Sequence, residues 1–240
     1  MSQTTKNNED RSIAHSAPVS LPYPCHPSCD GGHRCAASHY GGVCRFPGGL
    51  RGHRAAGYAG GIGRFRAQGY AIAAERNGAK VGDAEYGNSP TEYLRHDMRG
   101  IRLAYSTTNG TISILRSADA TLSLVGSFAN LNALCDRLRR EAMDVVLLCS
   151  GWKNDFCLED TLVAGAVVER LAAVAEPCGD AANMALTLWQ MAKGNPFDYC
   201  RKATHVHRLG RMGAAADVEF AFRQDTCPVV PVLKNGLLTL

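Results

Sequence analysis

The chain has 240 residues, of which 45% are hydrophobic and 20% are charged, a composition typical of a globular protein. Its length allows one sizeable α/β domain or two small ones. It contains no run of 18 or more apolar residues, and its polar first 20 residues lack the apolar core of a signal peptide. We therefore expect no membrane association and a cytoplasmic location, in which the ten cysteines would be reduced thiols.

The net charge of +4 is unevenly distributed along the chain. Residues 1–70 carry eight Lys or Arg and three Asp or Glu, a net charge of +5, whereas the remainder carries −1. Residues 1–20 have the composition of a disordered tail, and residues 21–66 are rich in Gly, Arg, His, Cys and Ala without a helical or strand period. We therefore divide the chain into a disordered or aberrant basic segment, 1–66, and an α/β domain, 67–240.

From Tyr70 onward, apolar runs alternate with segments of helical period. The predicted strands are 70–74, 101–106, 121–125, 144–149 and 229–234, and the predicted helices are 130–141, 158–173 and 180–193, with a short helix starting at Thr91. The run 144–149 is continuously apolar, which predicts a strand covered on both faces. Strands that alternate with helices in this way predict a three-layer α/β/α fold with a largely parallel sheet.

Polar loops follow the predicted strands, at 75–78, 107–111, 126–130 and 150–156. Functional groups of βα units gather in loops at the carboxyl ends of the strands. Three of these loops combine glycine with hydroxyl or amide side chains, the chemistry of an anion-binding pocket at helix N-termini.

The same loops carry a family resemblance. The motifs are Glu75-Arg76-Asn77-Gly78 with Gly87-Asn88-Ser89-Pro90, Thr107-Thr108-Asn109-Gly110-Thr111, Gly126-Ser127-x-x-Asn130, Cys149-Ser150-Gly151 with Phe156-x-Leu158-Glu159-Asp160, and a weaker set of His207-Arg208-Leu209, Gly213 and Asp217. Over about residues 68–240 the chain resembles the magnesium-dependent 2-phosphosulfolactate phosphatases of coenzyme M biosynthesis. The resemblance implies a Mg²⁺ cofactor, a small anionic phosphorylated substrate, and hydrolysis to 3-sulfolactate and phosphate.

Three residues are the catalytic candidates that this resemblance suggests: Glu75, Arg76 and Asp160. The guanidinium of Arg76 could grip phosphate or sulfonate with two parallel hydrogen bonds, or it could form a salt bridge with Glu75. Glu75 and Asp160 are the candidate Mg²⁺ ligands. Alternatively, Glu75 orients Arg76, and Asp160 stabilises a helix dipole.

The substrate-binding candidates are polar loop residues: Asn88, Ser89, Thr107, Thr108, Asn109, Gly110, Thr111, Ser127 and Asn130. The loop 107–111 is interpreted as a phosphate or sulfonate cradle rather than a simple turn. Ser127 with Asn130, and Asn88 with Ser89, are equally well explained as helix caps.

The segment 21–66 contains six potential zinc ligands, Cys25, Cys29, His33, Cys35, His39 and Cys44, whose spacing fits known zinc modules poorly. A frameshifted stretch explains this segment better, because its Gly, Arg, Ala, Cys and His bias is the one expected when GC-rich coding DNA is read out of frame. The segment stands where the family has an apolar strand bearing an Asp, followed by an Arg-Ala-Thr/Ser-Thr loop. Without that strand, a neighbouring strand would lack its partner. We therefore expect weak or no phosphatase activity from this chain.

Two alternatives remain open. The chain could be a non-catalytic binding module whose basic Cys/His-rich arm binds zinc or nucleic acid, or a phosphatase for another small phosphorylated hydroxy acid. The favoured interpretation has no nucleic-acid or membrane partner, with self-association into a homo-oligomer as a further option.

Overall fold

The computed structural model describes residues 34–38, 53–55, 62–153 and 155–239, of which residues 34–38, 53–55 and 62–63 are described as backbone alone. The strands are β1 (Arg34–Ser38), β2 (His53–Ala55), β3 (Ala71–Arg76), β4 (Ala79–Lys80), β5 (Leu103–Ser106), β6 (Leu122–Gly126), β7 (Val145–Cys149), β8 (Val232–Lys234) and β9 (Leu237–Thr239). They form one sheet in the order β4-β3-β5-β2-β9-β8-β6-β1-β7.

The helices follow the strands along the chain. They are α1 (Ile62–Ala67), α2 (Pro90–Tyr93), α3 (Gly110–Arg116), α4 (Leu131–Glu141), α5 (Leu158–Leu171), α6 (Asp180–Ala192), α7 (Pro196–Tyr199), α8 (Thr204–Arg211) and α9 (Ala215–Ala221). The predicted α/β class is therefore confirmed. Helix α1 spans the predicted boundary at residue 66 and contacts β3 and β5.

The sheet is mixed rather than largely parallel. Strand β5 pairs in parallel with β3 and β2, and β1 pairs in parallel with β6 and β7. The antiparallel hairpin β8–β9 joins these two groups, since β9 pairs with β2 and β8 with β6. The hairpin comes from the last residues of the chain, so its place in the middle of the sheet was not predicted.

The segment before residue 62 contributes two strands, which corrects the expectation of an unpaired neighbour. Strand β1 lies between β6 and β7, and β2 lies between β5 and β9. Strand β7 is at the edge of the sheet and its residues are half-buried, so the prediction of a strand covered on both faces is wrong. Of the six potential zinc ligands, Cys35 lies in β1, and the other five are outside the described residues.

The main hydrophobic core forms where α4, α5 and α6 pack together beside β6. Leu131, Leu134 and Leu138 are all buried, which confirms the helical period on which α4 was predicted. Leu162 and Trp189 bring α5 and α6 into the same cluster. This core holds the first turn of α5, and with it Asp160, in a fixed position behind the loops.

Cysteine oxidation and membrane topology were also predicted from composition. Cys135, Cys149, Cys157, Cys200 and Cys227 are reduced, as expected, but Cys178 is disulfide-bonded, which corrects the expectation for that residue. Across the described part of the chain, every helix is too short or too polar to cross a bilayer.

Helices α5 and α6 touch at Gly165, where side-chain volume is not tolerated. A Cβ atom at this position would lie 2.0 Å from the Ala185 carbonyl oxygen and 2.7 Å from the Trp189 Cβ. We expect Gly165→Ala to lower the free energy of unfolding by about 2 kcal/mol, because the two helices must move apart. The midpoint of urea denaturation measures the change.

Gly210 in α8 provides the matched control for that substitution. Apart from its neighbours in the chain and the backbone of its own helix, no described atom lies within 4 Å of a Cβ built on Gly210. Gly210→Ala should therefore be neutral or stabilise the protein through helix propensity by up to about 1 kcal/mol. Equal denaturation midpoints for the two variants would contradict the packing argument.

Candidate functional site

The predicted polar loops converge on a cavity of about 200 Å³. Loops that follow β3, β5 and β7 form one side, and α8 and α9 form the other. Its lining residues are Glu75, Asn77, Gly78, Lys80, Gly87, Asn88, Ser89, Pro90, Glu92, Thr108, Asn109, Ser150, Gly151, Trp152, Cys157, Asp160, His205, Arg208, Leu209, Ala214, Asp217 and Val218.

Glu75 ties two of these loops together. It lies at the end of β3 with 6% of its surface exposed. Its Oε2 accepts a hydrogen bond from the Gly78 N–H at 2.5 Å, and its Oε1 accepts one from the Thr108 N–H at 2.6 Å. The turn between β3 and β4 has left-handed backbone at Asn77 (φ 53°) and Gly78 (φ 82°). The carboxylate thus fixes the shape of the cavity wall and also faces the cavity.

Arg76, the predicted anion contact, is directed elsewhere. Its guanidinium donates to the Glu75 carbonyl oxygen at 2.6 Å and to the Ser106 hydroxyl oxygen at 2.9 Å. It is absent from the cavity lining, so the structure does not bring it together with the other candidates. Its contacts fasten β3 to the end of β5.

The loop 107–111 is divided between support and lining. Thr107 and Thr111 are buried, and each backbone N–H donates to the other's hydroxyl oxygen, at 2.8 and 3.1 Å. Gly110 is the buried first residue of α3. Thr108 and Asn109 line the cavity, and the Asn109 side-chain oxygen accepts from the Lys153 N–H at 3.2 Å. The predicted cradle therefore presents two of its five residues to the cavity.

Asn88 and Ser89 both line the cavity. The Ser89 hydroxyl oxygen accepts from the Glu92 N–H, which confirms its capping of α2, and the hydroxyl also donates to Asp217 at 2.8 Å. Asn88 accepts a hydrogen bond from the Tyr105 hydroxyl. Asp217 was assigned only to the weak C-terminal motif, because nothing local to α9 shows that it meets a loop 128 residues earlier.

Ser127 and Asn130 lie outside the cavity lining. They form a capping box at the start of a short 3₁₀ turn, Phe128–Asn130. The Asn130 side-chain amide donates to the carbonyl oxygens of Val125 and Val229 at 3.0 and 2.8 Å. Of the two open interpretations, the structure supports the cap, since the hydrogen-bonding groups of Asn130 are used in joining β6 to the segment before β8.

Asp160 lies in the first turn of α5, behind the loop that follows β7. Its Oδ2 accepts from the Gly151 N–H at 2.8 Å, at a glycine with left-handed backbone (φ 66°). Burial raises the pKa of Asp160 to about 7, and the neighbouring charge of Glu159 acts in the same direction. Asp160 is therefore a cavity carboxyl whose ionised form would be stabilised by a nearby cation.

Helix α8 supplies two cavity residues, His205 and Arg208, that were not among the predicted site residues. The His205 ring stacks on Trp152 with 5.8 Å between centroids, and the Arg208 guanidinium lies 5.2 Å from the same ring. Arg208 also donates to the Asn77 carbonyl oxygen. Arg208 was predicted only as part of the weak C-terminal motif, and Lys80 was missed because it lies in a short strand without a motif.

The cavity combines two kinds of charge. The carboxyl groups of Glu75, Glu92, Asp160 and Asp217 line it together with the cationic side chains of Lys80 and Arg208. Oxygen ligands of this kind suit Mg²⁺, and guanidinium and ammonium groups suit phosphate or sulfonate. The arrangement is chemically able to hold a polyanion together with a hard divalent cation.

Comparison with known proteins identifies a family to which the chain is similar. Residues 62–236 match the family model described as 2-phosphosulpholactate phosphatase. A probable 2-phosphosulfolactate phosphatase of Thermotoga petrophila is 35% identical over 175 residues, which cover 73% of this chain and 75% of the relative. A protein of the same description from Synechococcus sp. strain JA-3-3Ab is 37% identical over 174 residues, 70% and 72% of the two chains. One from Caldanaerobacter subterraneus is 29% identical over 170 residues, 70% of each.

Proposed function

This chain belongs to the 2-phosphosulpholactate phosphatase family, and we propose that it hydrolyses the phosphate ester of 2-phosphosulfolactate to give 3-sulfolactate and phosphate. As a member of this family it is a phosphoric monoester hydrolase. The observation that carries the choice of substrate is the pairing of oxygen ligands with cationic side chains around one cavity. A substrate with phosphate, sulfonate and carboxylate groups needs both.

The proposed cofactor is Mg²⁺, held by Glu75 and Asp160. Both carboxyl groups line the cavity, and each is oriented by backbone N–H groups that leave further lone pairs available. A cation beside Asp160 would offset the burial that raises its pKa. When bound, Mg²⁺ would neutralise phosphate charge and polarise the phosphoryl oxygen.

The protein's own residues would bind and orient the substrate. Arg208 and Lys80 are the cations placed to attract its anionic groups. Trp152 and Asn77 hold Arg208 in place, which reduces the freedom that its guanidinium would lose on binding. Thr108 and Asn109 lie across the cavity with short polar side chains that can complete the hydrogen bonding.

An assay of phosphate release tests this function. We expect purified full-length protein to release phosphate from 2-phosphosulfolactate, to stop when EDTA removes divalent cations, and to recover when Mg²⁺ is added. Lower rates with phospholactate and phosphoglycerate would support the sulfonate-bearing substrate. A higher rate with either of those compounds would instead favour the alternative of another phosphorylated hydroxy acid.

The same assay measures how far the unusual N-terminal segment lowers the rate of phosphate release. The family match begins at residue 62, after the position where the resemblance implies a strand with an Asp and an Arg-Ala-Thr/Ser-Thr loop, which would supply an Asp and an Arg to the site. We therefore expect a slower rate than that of the Thermotoga petrophila relative assayed alongside it. Equal rates would contradict the prediction of weak activity, whereas no release with any of the three compounds would favour a non-catalytic binding module.

A further inference from the structure

Three side chains with metal-binding chemistry meet beside the cavity, and the proposed magnesium site uses none of them. Cys157 precedes α5, Glu159 lies in its first turn, and His205 comes from α8. Their ligand atoms all lie within 4.8 Å of one another. The Cys157 thiol donates to Glu159 Oε2 at 3.0 Å, and His205 Nδ1 is 3.5 Å from Glu159 Oε1.

Glu159 is the unusual member of this cluster. Only 1% of its surface is exposed, and its Oε1 accepts no hydrogen bond from any residue that the structure describes. A buried carboxylate oxygen in this condition is costly unless a cation or a donor lies against it. The atom points toward His205, so the unused ligand capacity of Glu159 faces the other two groups.

We propose that Cys157, Glu159 and His205 form a binding site for a divalent transition-metal ion of the zinc type. Sulfur, nitrogen and oxygen ligands together select such ions, whereas Mg²⁺ prefers oxygen alone. Burial and the charges of Asp160 and Glu159 raise the pKa of Cys157, so the metal-free group is a thiol. On binding, a metal–sulfur bond replaces the S–H bond, and the proton leaves to solvent.

The position of the cluster indicates an open coordination site. Cys157 and His205 line the cavity, whereas Glu159 lies behind them and does not. Catalytic zinc sites, unlike structural ones, have three protein ligands and a fourth coordination position that is open to a cavity. Metal–ligand bonds of about 2.0 to 2.3 Å set tetrahedral ligand atoms roughly 3.5 Å apart. The separations here, 3.0 Å, 3.5 Å and at most 4.8 Å, reach that spacing with small side-chain adjustments.

Cobalt binding to the full-length protein tests the site independently of any enzymatic activity. Co²⁺ is added to EDTA-treated protein under reducing conditions, and the near-ultraviolet thiolate-to-cobalt band and the bound metal are measured. The segment before residue 62 also contains Cys and His, so the quantity of interest is the difference between the wild-type chain and its variants. Cys157→Ser should bind one Co²⁺ fewer per chain and show a weaker band.

Cys227→Ser is the matched control, because Cys227 and Cys157 are equally buried, each with 6% exposed, and Cys227 lies outside the cluster. It should bind as much Co²⁺ as the wild-type chain. His205→Gln is the second variant, at a partly exposed position, and should lower Co²⁺ affinity at this site at least about tenfold. The proposal is overturned if folded Cys157→Ser or folded His205→Gln binds Co²⁺ with wild-type stoichiometry and affinity.

Discussion

Replacing Asp160 with asparagine is expected to lower kcat for phosphate release by about 1,000-fold while the protein stays folded. The amide is nearly the same size as the carboxyl and can still accept the Gly151 N–H through its oxygen. What it loses is the negative charge that would hold Mg²⁺ and, through it, the phosphate. The loss therefore belongs to the chemistry of the site rather than to packing.

A thermal shift separates loss of the metal from other causes of low activity. At a Mg²⁺ concentration about 100 times the Kd, binding should stabilise the wild-type protein by about 2.7 kcal/mol, seen as a rise in Tm. The Asp160→Asn variant should show little or no rise. This measurement applies even if the N-terminal segment makes the wild-type enzyme slow.

Asp155→Asn is the control for that experiment, since Asp155 lies in the loop that leads into α5, is exposed and does not line the cavity. It should keep both the wild-type rate and the Mg²⁺-dependent rise in Tm. If Asp160→Asn kept kcat within about threefold and responded to Mg²⁺ as the wild type does, Asp160 would not be a metal ligand.

The local parts of the fold were predictable because their signals lie within a few neighbouring residues. The apolar run that became β5 ends at Ser106 as predicted, and α4 begins one residue after the predicted start and ends at Glu141 as predicted. The loop 107–111 follows a strand, as predicted, and leads into α3. Its backbone role is local too, because Thr107 and Thr111 are one helical turn apart and bond to each other.

The long-range parts were not predictable from one sequence. The sequence near Val232 and Leu237 does not predict that the β8–β9 hairpin enters the middle of the sheet. Its partner strands, β2 and β6, are far away in the chain. The same limit affected the site. Asn130 and Asp217 are both polar residues of the motifs that carry the family resemblance. Tertiary packing decides that Asp217 lines the cavity and Asn130 does not.

Arg76 and Arg208 show most clearly that a local motif does not decide which side chain reaches the cavity. They also provide the second large prediction. Arg208→Ala is expected to lower kcat/KM for 2-phosphosulfolactate by about 100-fold, because a charged hydrogen bond to an anion contributes up to about 3 kcal/mol. Arg208→Lys should recover part of the loss, since it keeps the charge without the paired donors. Steady-state kinetics of Arg208→Ala, Arg208→Lys and the control variant Arg211→Ala measure these effects.

Arg211→Ala is the matched control, at an exposed position in the last turn of the same helix and away from the cavity lining, and it should leave kcat/KM unchanged.

Arg76→Ala decides between the sequence motif and the structure. Because Arg76 joins β3 to β5 through Glu75 and Ser106, its loss should lower Tm more than Arg208→Ala does and affect kcat/KM less. If Arg76→Ala abolished activity in a stable protein while Arg208→Ala did not, the motif would have identified the anion contact correctly.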